Sequence, residues 1–317
     1  MRILFLGWSA LLLFPQISWA ENDPMSWLQK TASAAHRLNY DGTFIYQRGG
    51  RTETSRIVHL ADEAGEHEKL ESLDGPYSET IRHNDEIVSY FSENKSVIAT
   101  RRKPGKSFPA LLPKQFSGVG ESYTVKLGEK ERIAGHECQI ILLEPRDAFR
   151  YGHRICADSM TGLPLRAAML NEKNELVYQF TFAQITIGGV IDRGQFKPGP
   201  AARNASNTTS PPQAMPADAG WTVGQPPAGF KKIMGMKRTL PGKKSPVNHL
   251  VLSDDLVAVS VFIEPLTNVE KPLNGISGHG AVNVYGKPVA AHQVTVVGEV
   301  PAATVIQIGN SITYTGK

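Results

Sequence analysis

The sequence predicts a mainly β protein with some helix (α+β): a large antiparallel sheet, then a small α+β unit. Three observations carry this. Residues 132–185 read as consecutive strands joined by short polar turns, and a parallel return would need a crossover of a dozen or so residues. In the last of these strands Tyr178, Phe180 and Phe182 share one face and Val177, Gln179, Thr181 and Ala183 the other. That period of two marks a sheet with one dry face. Residues 198–220 then hold five prolines and a single large apolar side chain, Met215, which reads as a linker.

Residues 1–20 stand outside this fold. Arg2 gives a positive start, Ile3–Leu13 an apolar run, and Ser18-Trp19-Ala20 a small-x-small site, so a secretory signal peptide cleaved after Ala20 is expected. The apolar run is short for a membrane anchor, and Pro15 interrupts it. The expected parts are therefore a signal peptide (1–20), a large domain (21–197), a linker (198–220) and a small C-terminal domain (221–317).

Asp23-Pro24 suits the cap and first position of a helix over Met25–Asn39, with Trp27, Leu28, Thr31, Ala35 and Leu38 on one stripe. A hairpin follows, Thr43–Arg48 and Thr52–Leu60 around Gly49-Gly50. Strands are expected at His67–Leu73, Ser78–Arg82, Glu86–Phe91 and Ser96–Arg102, and one or two helical turns at Phe108–Phe116. Strands at Tyr123–Leu127, Arg132–Leu143, Tyr151–Ala157, Leu165–Leu170 and Leu176–Ile185 complete the large sheet, which at about eleven strands must curl or close. In the small domain Phe230 and Ile233 are expected to anchor the start. Strands follow at His249–Leu252, Leu256–Ile263, Ala281–Tyr285 and His292–Val297, then a helix from Pro301 carrying Val305, Ile308 and Ile312.

Charge is unevenly spread. Residues 21–197 carry 23 basic and 24 acidic side chains, whereas 221–317 carry 9 and 5. Export leaves anionic membrane components or an acidic protein segment as partners for the basic part, not nucleic acid. Two cysteines, Cys138 and Cys156, flank a hairpin midpoint at residue 147, and one allowed register sets them directly opposite each other for a disulfide. A pair of buried free thiols is the alternative.

No catalytic constellation is found. Gly135-His136-Glu137-Cys138 lacks the second histidine of a zinc motif, and the nine histidines are scattered. Gly280 to Gly286-Lys287 has one residue too many for a phosphate loop and Pro288 where a hydroxyl is needed, so a hairpin turn is expected there. No metal, cofactor or enzyme activity is expected. Two basic runs stand out: Arg101, Arg102, Lys103 and Lys106, and Lys231, Lys232, Lys237 and Arg238. They are solvated faces or an anion and partner patch.

The segments LNYDGTFIYQRGG (38–50), LDGPYSETIR (73–82), RIAGHECQIILLEPRDAFRYG (132–152), WTVGQPPAGF (221–230) and SDDLVAVSVFIEP (253–265) resemble the RseB/MucB family, periplasmic regulators of the envelope-stress sigma factor in Gram-negative bacteria. The resemblance covers essentially the whole mature chain. It implies a LolA/LolB-like large domain, a strongly curved half-barrel sheet with helices on its concave side. It also implies binding of the periplasmic part of a membrane anti-sigma factor (RseA/MucA-like), shielding it from regulated proteolysis, with lipopolysaccharide or mislocalised lipoprotein as the releasing signal. A periplasmic lipid or lipoprotein carrier is the alternative, and homo-oligomerisation stays open. The expected acyl pocket comprises Phe44, Tyr46, Ile81, Tyr90, Leu111, Leu112, Phe116, Tyr178, Phe180 and Phe182.

Overall fold

The computed structural model describes residues 23–92, 96–101, 108–113, 116, 118–203, 207–209, 215–216, 220–240, 245–269 and 271–316. The expected signal peptide with its Ala20 cleavage site, and Arg102, Lys103 and Lys106, lie outside them.

Helix α1 (Pro24–Arg37) opens as its sequence dictates. The Asp23 carboxylate accepts from the backbone N–H groups of Met25 and Ser26, which have no partner inside the helix. Its Leu28, Thr31, Ala32, Ala34 and Ala35 are buried. Next come β1 (Tyr40–Arg48), β2 (Arg51–Asp62), β3 (Gly65–Ser72), β4 (Ser78–His83), β5 (Glu86–Phe91) and β6 (Ser96–Arg101). After a short helix α2 (Val119–Ser122) follow β7 (Tyr123–Ile133), β8 (His136–Pro145), β9 (Gly152–Asp158), β10 (Pro164–Leu170) and β11 (Leu176–Ile187). A 3-10 turn at Arg193–Phe196, α3 (Pro200–Arg203), β12 (Asn207–Thr209) and β13 (Met215–Pro216) lead to the C-terminal part. That part holds β14 (Trp221–Val223), β15 (Lys231–Arg238), β16 (Val247–Ser253), β17 (Ala258–Pro265), β18 (Gly275–His279), β19 (Val282–Val289), β20 (His292–Gly298), α4 (Ala302–Asn310) and β21 (Ile312–Tyr314).

The large sheet has 12 strands in the order β12-β6-β5-β4-β3-β2-β1-β11-β10-β9-β8-β7. Neighbours in sequence are neighbours in space except where β11 returns to pair antiparallel with β1, which carries β6 and β7 to opposite sides of the sheet, and where β12 adds parallel to β6. Gly42 permits that closure, because a Cβ there would lie 2.8 Å from the Phe182 ring and 2.7 Å from the Gln184 carbonyl oxygen. A seven-stranded sheet, β13-β15-β16-β17-β20-β19-β18, forms the C-terminal part and packs against α4, and β14 pairs with β21 in a two-stranded sheet.

Several expectations are corrected. Arg132–Leu143 is not one strand; a tight turn at Ala134-Gly135, both at positive φ, splits it into β7 and β8. Phe108–Pro113 forms turns, not a helix, because residues before Pro109 and Pro113 are biased away from helical backbone. Ile233 is 62% exposed at a β-bulge, and Phe230 alone is the buried anchor. Ile312 belongs to β21, not to the helix. Gly280 sits in the β18–β19 hairpin turn as expected, whereas Gly286 and Lys287 lie within β19.

Cys138 and Cys156 form a disulfide, but not from directly opposed positions. Cys138 pairs with Asp158 and Ile140 with Cys156, so the two are diagonal neighbours with Cα atoms 5.4 Å apart. Strand twist shortens one diagonal of each such pair.

Under α1 a polar cluster ties helix to sheet. Arg82 donates to Glu66 and Glu68, His36 lies 3.1 Å from Glu66, and the buried His59 stacks on Tyr40. The Glu66 carboxyl is held well below the usual carboxylate range, first by the His59 imidazole, against the effect of burial, then by His36 and Arg82. His59 Nε2 lies 3.9 Å from it, so that attraction is electrostatic, not a formed hydrogen bond.

Two outcomes are expected. Replacing both cysteines by alanine lowers stability by about 3 kcal/mol, as for a loop of this length, read as a lower urea midpoint than wild type. A depressed carboxyl contributes stability that is fully present above its ordinary pKa and is lost progressively as pH falls from there to the folded-state value, so Glu66→Gln should flatten the loss of stability from about pH 5 downward. An acid-unfolding profile unchanged by the substitution contradicts this.

Candidate functional site

Phe44, Tyr46, Tyr178, Phe180 and Phe182 gather on one face of the large sheet. The β1–β11 register sets Phe44 opposite Phe182 and Tyr46 opposite Phe180. The Tyr46 and Phe180 rings stack at 4.6 Å, and Phe44 meets Phe182 edge-on at 6.0 Å. Phe108, absent from the expected set, stacks on Phe180 at 5.3 Å and touches Phe44 and Phe182. Leu112 is buried with them, and Leu111 and Phe116 pack against the same core. Desolvation pushes the Tyr178 hydroxyl up to about 12.

Ile81 and Tyr90 are not part of this group. The pairings Phe44–Ser55, Ser55–Ser72 and Leu70–Thr80 carry the aromatic face across β2, β3 and β4. Strict alternation then turns Ile81 and its partner strand's Tyr90 to the opposite face. Tyr90 is buried there near Tyr77, beside Glu79. A strap covers that face: Arg56 donates to Gln195, Lys69 to the Lys197 carbonyl, and the Gly199 amide to Glu79. Alternation shows which residues share a face within a strand, but not which faces of separate strands coincide.

The second feature is the seam between the two sheets, built around Arg150. This side chain sits in the β8–β9 corner and is fully buried. Its Nε donates to Asp254 Oδ2 at 2.8 Å, and its other nitrogens reach Asp147 and the Ala228 carbonyl. The guanidinium also lies 5.1 Å from the Phe230 ring centroid. Asp254 is held in turn by the Leu256 and Val257 amides on its Oδ1. Thr304 at the start of α4 donates to the Phe149 carbonyl, and Arg48 pairs with Glu299 at 2.9 Å. Tyr151 and Met169 of the large sheet pack on Ala281 of the small one.

Beside the seam opens a groove of about 910 Å³ lined by Tyr46, Arg48, Glu53, Tyr151, Val177 and Asn283, among others. Tyr46 belongs to both features, lining the groove and stacking on Phe180 of the aromatic face.

The basic residues are not brought into one patch. Arg101 ends β6 in the large sheet, whereas Lys231, Lys232, Lys237 and Arg238 lie on β15 in the small one. Lys231 and Lys232 are exposed; Lys237 and Arg238 are half-buried. Among the described residues no His/Cys/Asp/Glu cluster suits a metal, and no helix is long and apolar enough to cross a membrane.

These features define a two-sheet binding protein, with an aromatic interior and an open groove locked together by a buried arginine. Models of the MucB/RseB N-terminal and C-terminal domains match residues 23–200 and 215–313. The chain belongs to the MucB/RseB family, a regulatory family and not an enzymatic one. It is 30% identical to the sigma factor AlgU regulatory protein MucB of Pseudomonas aeruginosa over 98% of this chain and 96% of that one. It is 26% identical to the sigma-E factor regulatory protein RseB of Haemophilus influenzae over 98% of both. The structure matches Pseudomonas aeruginosa MucB in its complex with MucA at a TM-score of 0.76 and 28% identity, over 93% of this chain and all of that one. It matches MucB alone at 0.65 and 27%, over 92% and 98%.

Arg150→Met leaves the Asp254 carboxylate buried and unpaired, so a stability loss of about 3–5 kcal/mol is expected. Asp254→Asn added to it should recover part of that loss. A double-mutant cycle in urea measures the coupling, and strict additivity speaks against the arrangement.

Proposed function

We propose that this protein is a periplasmic regulator that binds the periplasmic part of a MucA/RseA-like membrane anti-sigma factor. It shields that segment from regulated proteolysis and so keeps an envelope-stress sigma factor off. The observation that carries this is the match to MucB in its MucA complex across nearly the whole chain, at 0.76 against 0.65 for MucB alone. The domain division proposed is a large domain over 21–197, a linker over 198–220, whose β12 and β13 add to the edges of the large and small sheets, and a small anti-sigma-binding domain over 221–317. Lys231, Lys232, Lys237 and Arg238 offer that domain's partner patch. A segment seated in the groove is kept from a protease in proportion to its bound fraction.

The large sheet is proposed to be a half-barrel with its helix on the concave side. In support, β11 and β7, four places apart in the strand order, bring Cα atoms within 8 Å of each other. A flat sheet would set those strands roughly 19 Å apart. The aromatic interior around Phe44, Phe108, Phe180 and Phe182 is where acyl chains of lipopolysaccharide or of a mislocalised lipoprotein enter, each buried methylene adding about 0.8 kcal/mol. Because Tyr46 touches both interior and groove, a lipid that displaces the stacked rings disturbs the peptide seat. Linkage makes the effect reciprocal.

The test is proteolysis of a purified anti-sigma periplasmic fragment, alone, with this protein, and with lipopolysaccharide added. Protection that lipopolysaccharide abolishes is expected. A fragment cut equally fast in all three arms rejects the reading, and capture of lipoprotein cargo alone favours a carrier instead. Leu112→Asp should weaken acyl-ligand binding at least about ten-fold, since a buried charge opposes apolar filling, while the small domain stays folded. Unchanged ligand affinity in a folded variant removes the lipid from that interior.

A further inference from the structure

The sheet edges are treated unequally. An edge strand presents unpaired N–H and C=O groups, and proteins blunt such edges with short strands, prolines, charges or bulges. The large sheet ends in β12, which has three residues, and in β7, which has exposed Lys126, Glu129 and Lys130 and a bulge between Leu127 and Lys130. The small sheet ends at one side in the two-residue β13, where Pro216 lacks an N–H. Its other edge, β18, has none of these devices. Gly275–His279 contains no lysine, proline or bulge, and Ile276 is 48% exposed. Among the described residues, no backbone hydrogen bond joins β18 to any element but β19. The two glycines answer to the chain itself: Gly275 has φ +105°, and a Cβ on Gly278 would lie 2.8 Å from Asn283 Oδ1.

The surroundings indicate an occupant. Ile276 pairs with Tyr285, so Ile276, Tyr285 and Lys287 share a face beside the open edge. Beside this edge stand two cations, Lys271 just before β18 and Lys287 on the neighbouring β19, and neither strand carries an acidic side chain, whereas Lys231, Lys232, Lys237 and Arg238 lie on β15, five places away in the strand order. At its far end β18 runs into the groove, whose lining includes His279, Gly280 and Ala281. A chain leaving the groove is thus delivered to the edge.

We propose that β18 accepts an extended acidic segment of the anti-sigma partner as an eighth strand of the small sheet. Main-chain hydrogen bonds would hold it, an apolar side chain would meet Ile276 and Tyr285, and a carboxylate would meet Lys287. The proposal rests on the anti-sigma reading and names its mode of binding.

Hydrogen exchange of the full chain, with and without the purified periplasmic fragment of the host's MucA-like protein, tests it. In the complex the amides of residues 275–279 should exchange at least about ten-fold more slowly, and Ile276→Lys should weaken binding about ten-fold while Ile276→Val does not, since a lysine on an edge opposes strand addition. Ile276 is exposed, and an unchanged thermal midpoint confirms each variant's fold. A complex that forms without protecting these amides overturns strand addition and leaves the anti-sigma reading standing. No complex at all overturns both. Protection that grows with protein concentration, without fragment, assigns the edge to a second copy of this chain and overturns the partner assignment.

Discussion

A single buried guanidinium governs how the two sheets meet. Arg150 is shut off from solvent, and each of its three nitrogens donates to an oxygen, on Asp254, Asp147 and Ala228. Only one of those, Asp147, belongs to its own sheet. A buried ion pair adds little net stability, because desolvation offsets much of the attraction. It does penalise every arrangement that leaves either charge unpaired. The pose of one sheet on the other is thereby confined far more narrowly than by the small apolar contact of Tyr151, Met169 and Ala281.

That confinement gives the groove its shape. The walls come from both sheets, so the groove exists only while the seam holds. The aromatic face reaches it through Tyr46, whose ring contacts Phe180, itself stacked on Phe108. Apolar interior and polar groove are therefore parts of one contiguous packing arrangement. Packed rings do not deform gradually, so a change at one end has few ways to be absorbed before the other.

The strand pattern was largely legible from the chain. Most strand positions, the capped helix at Asp23-Pro24 and the shared face of Tyr178, Phe180 and Phe182 follow from local periodicity and turn chemistry. Errors arose where local signals were ambiguous. Ala134-Gly135 looked like strand because apolar residues continue on both sides. Phe108–Phe116 reads as one or two helical turns because Pro109 suits an early helical position, yet its prolines bias the residues before them away from helix. Of the aromatic group, Phe108 was missed for that reason. Ile81 and Tyr90 were included because a face is a property of the whole sheet, and only the cross-strand register defines it.

The sequence by itself determined the class, the two-part organisation with a basic C-terminal part, and the family. Each depends on composition or on patterns a few residues long, which survive without long-range contacts. Tertiary structure alone decided that Arg150 meets Asp254, 104 residues away, that Cys138 and Cys156 bridge on a diagonal, and that β18 is left as an open edge. Those facts depend on strand order, register and twist, and no local stretch of chain encodes them separately from the rest of the fold.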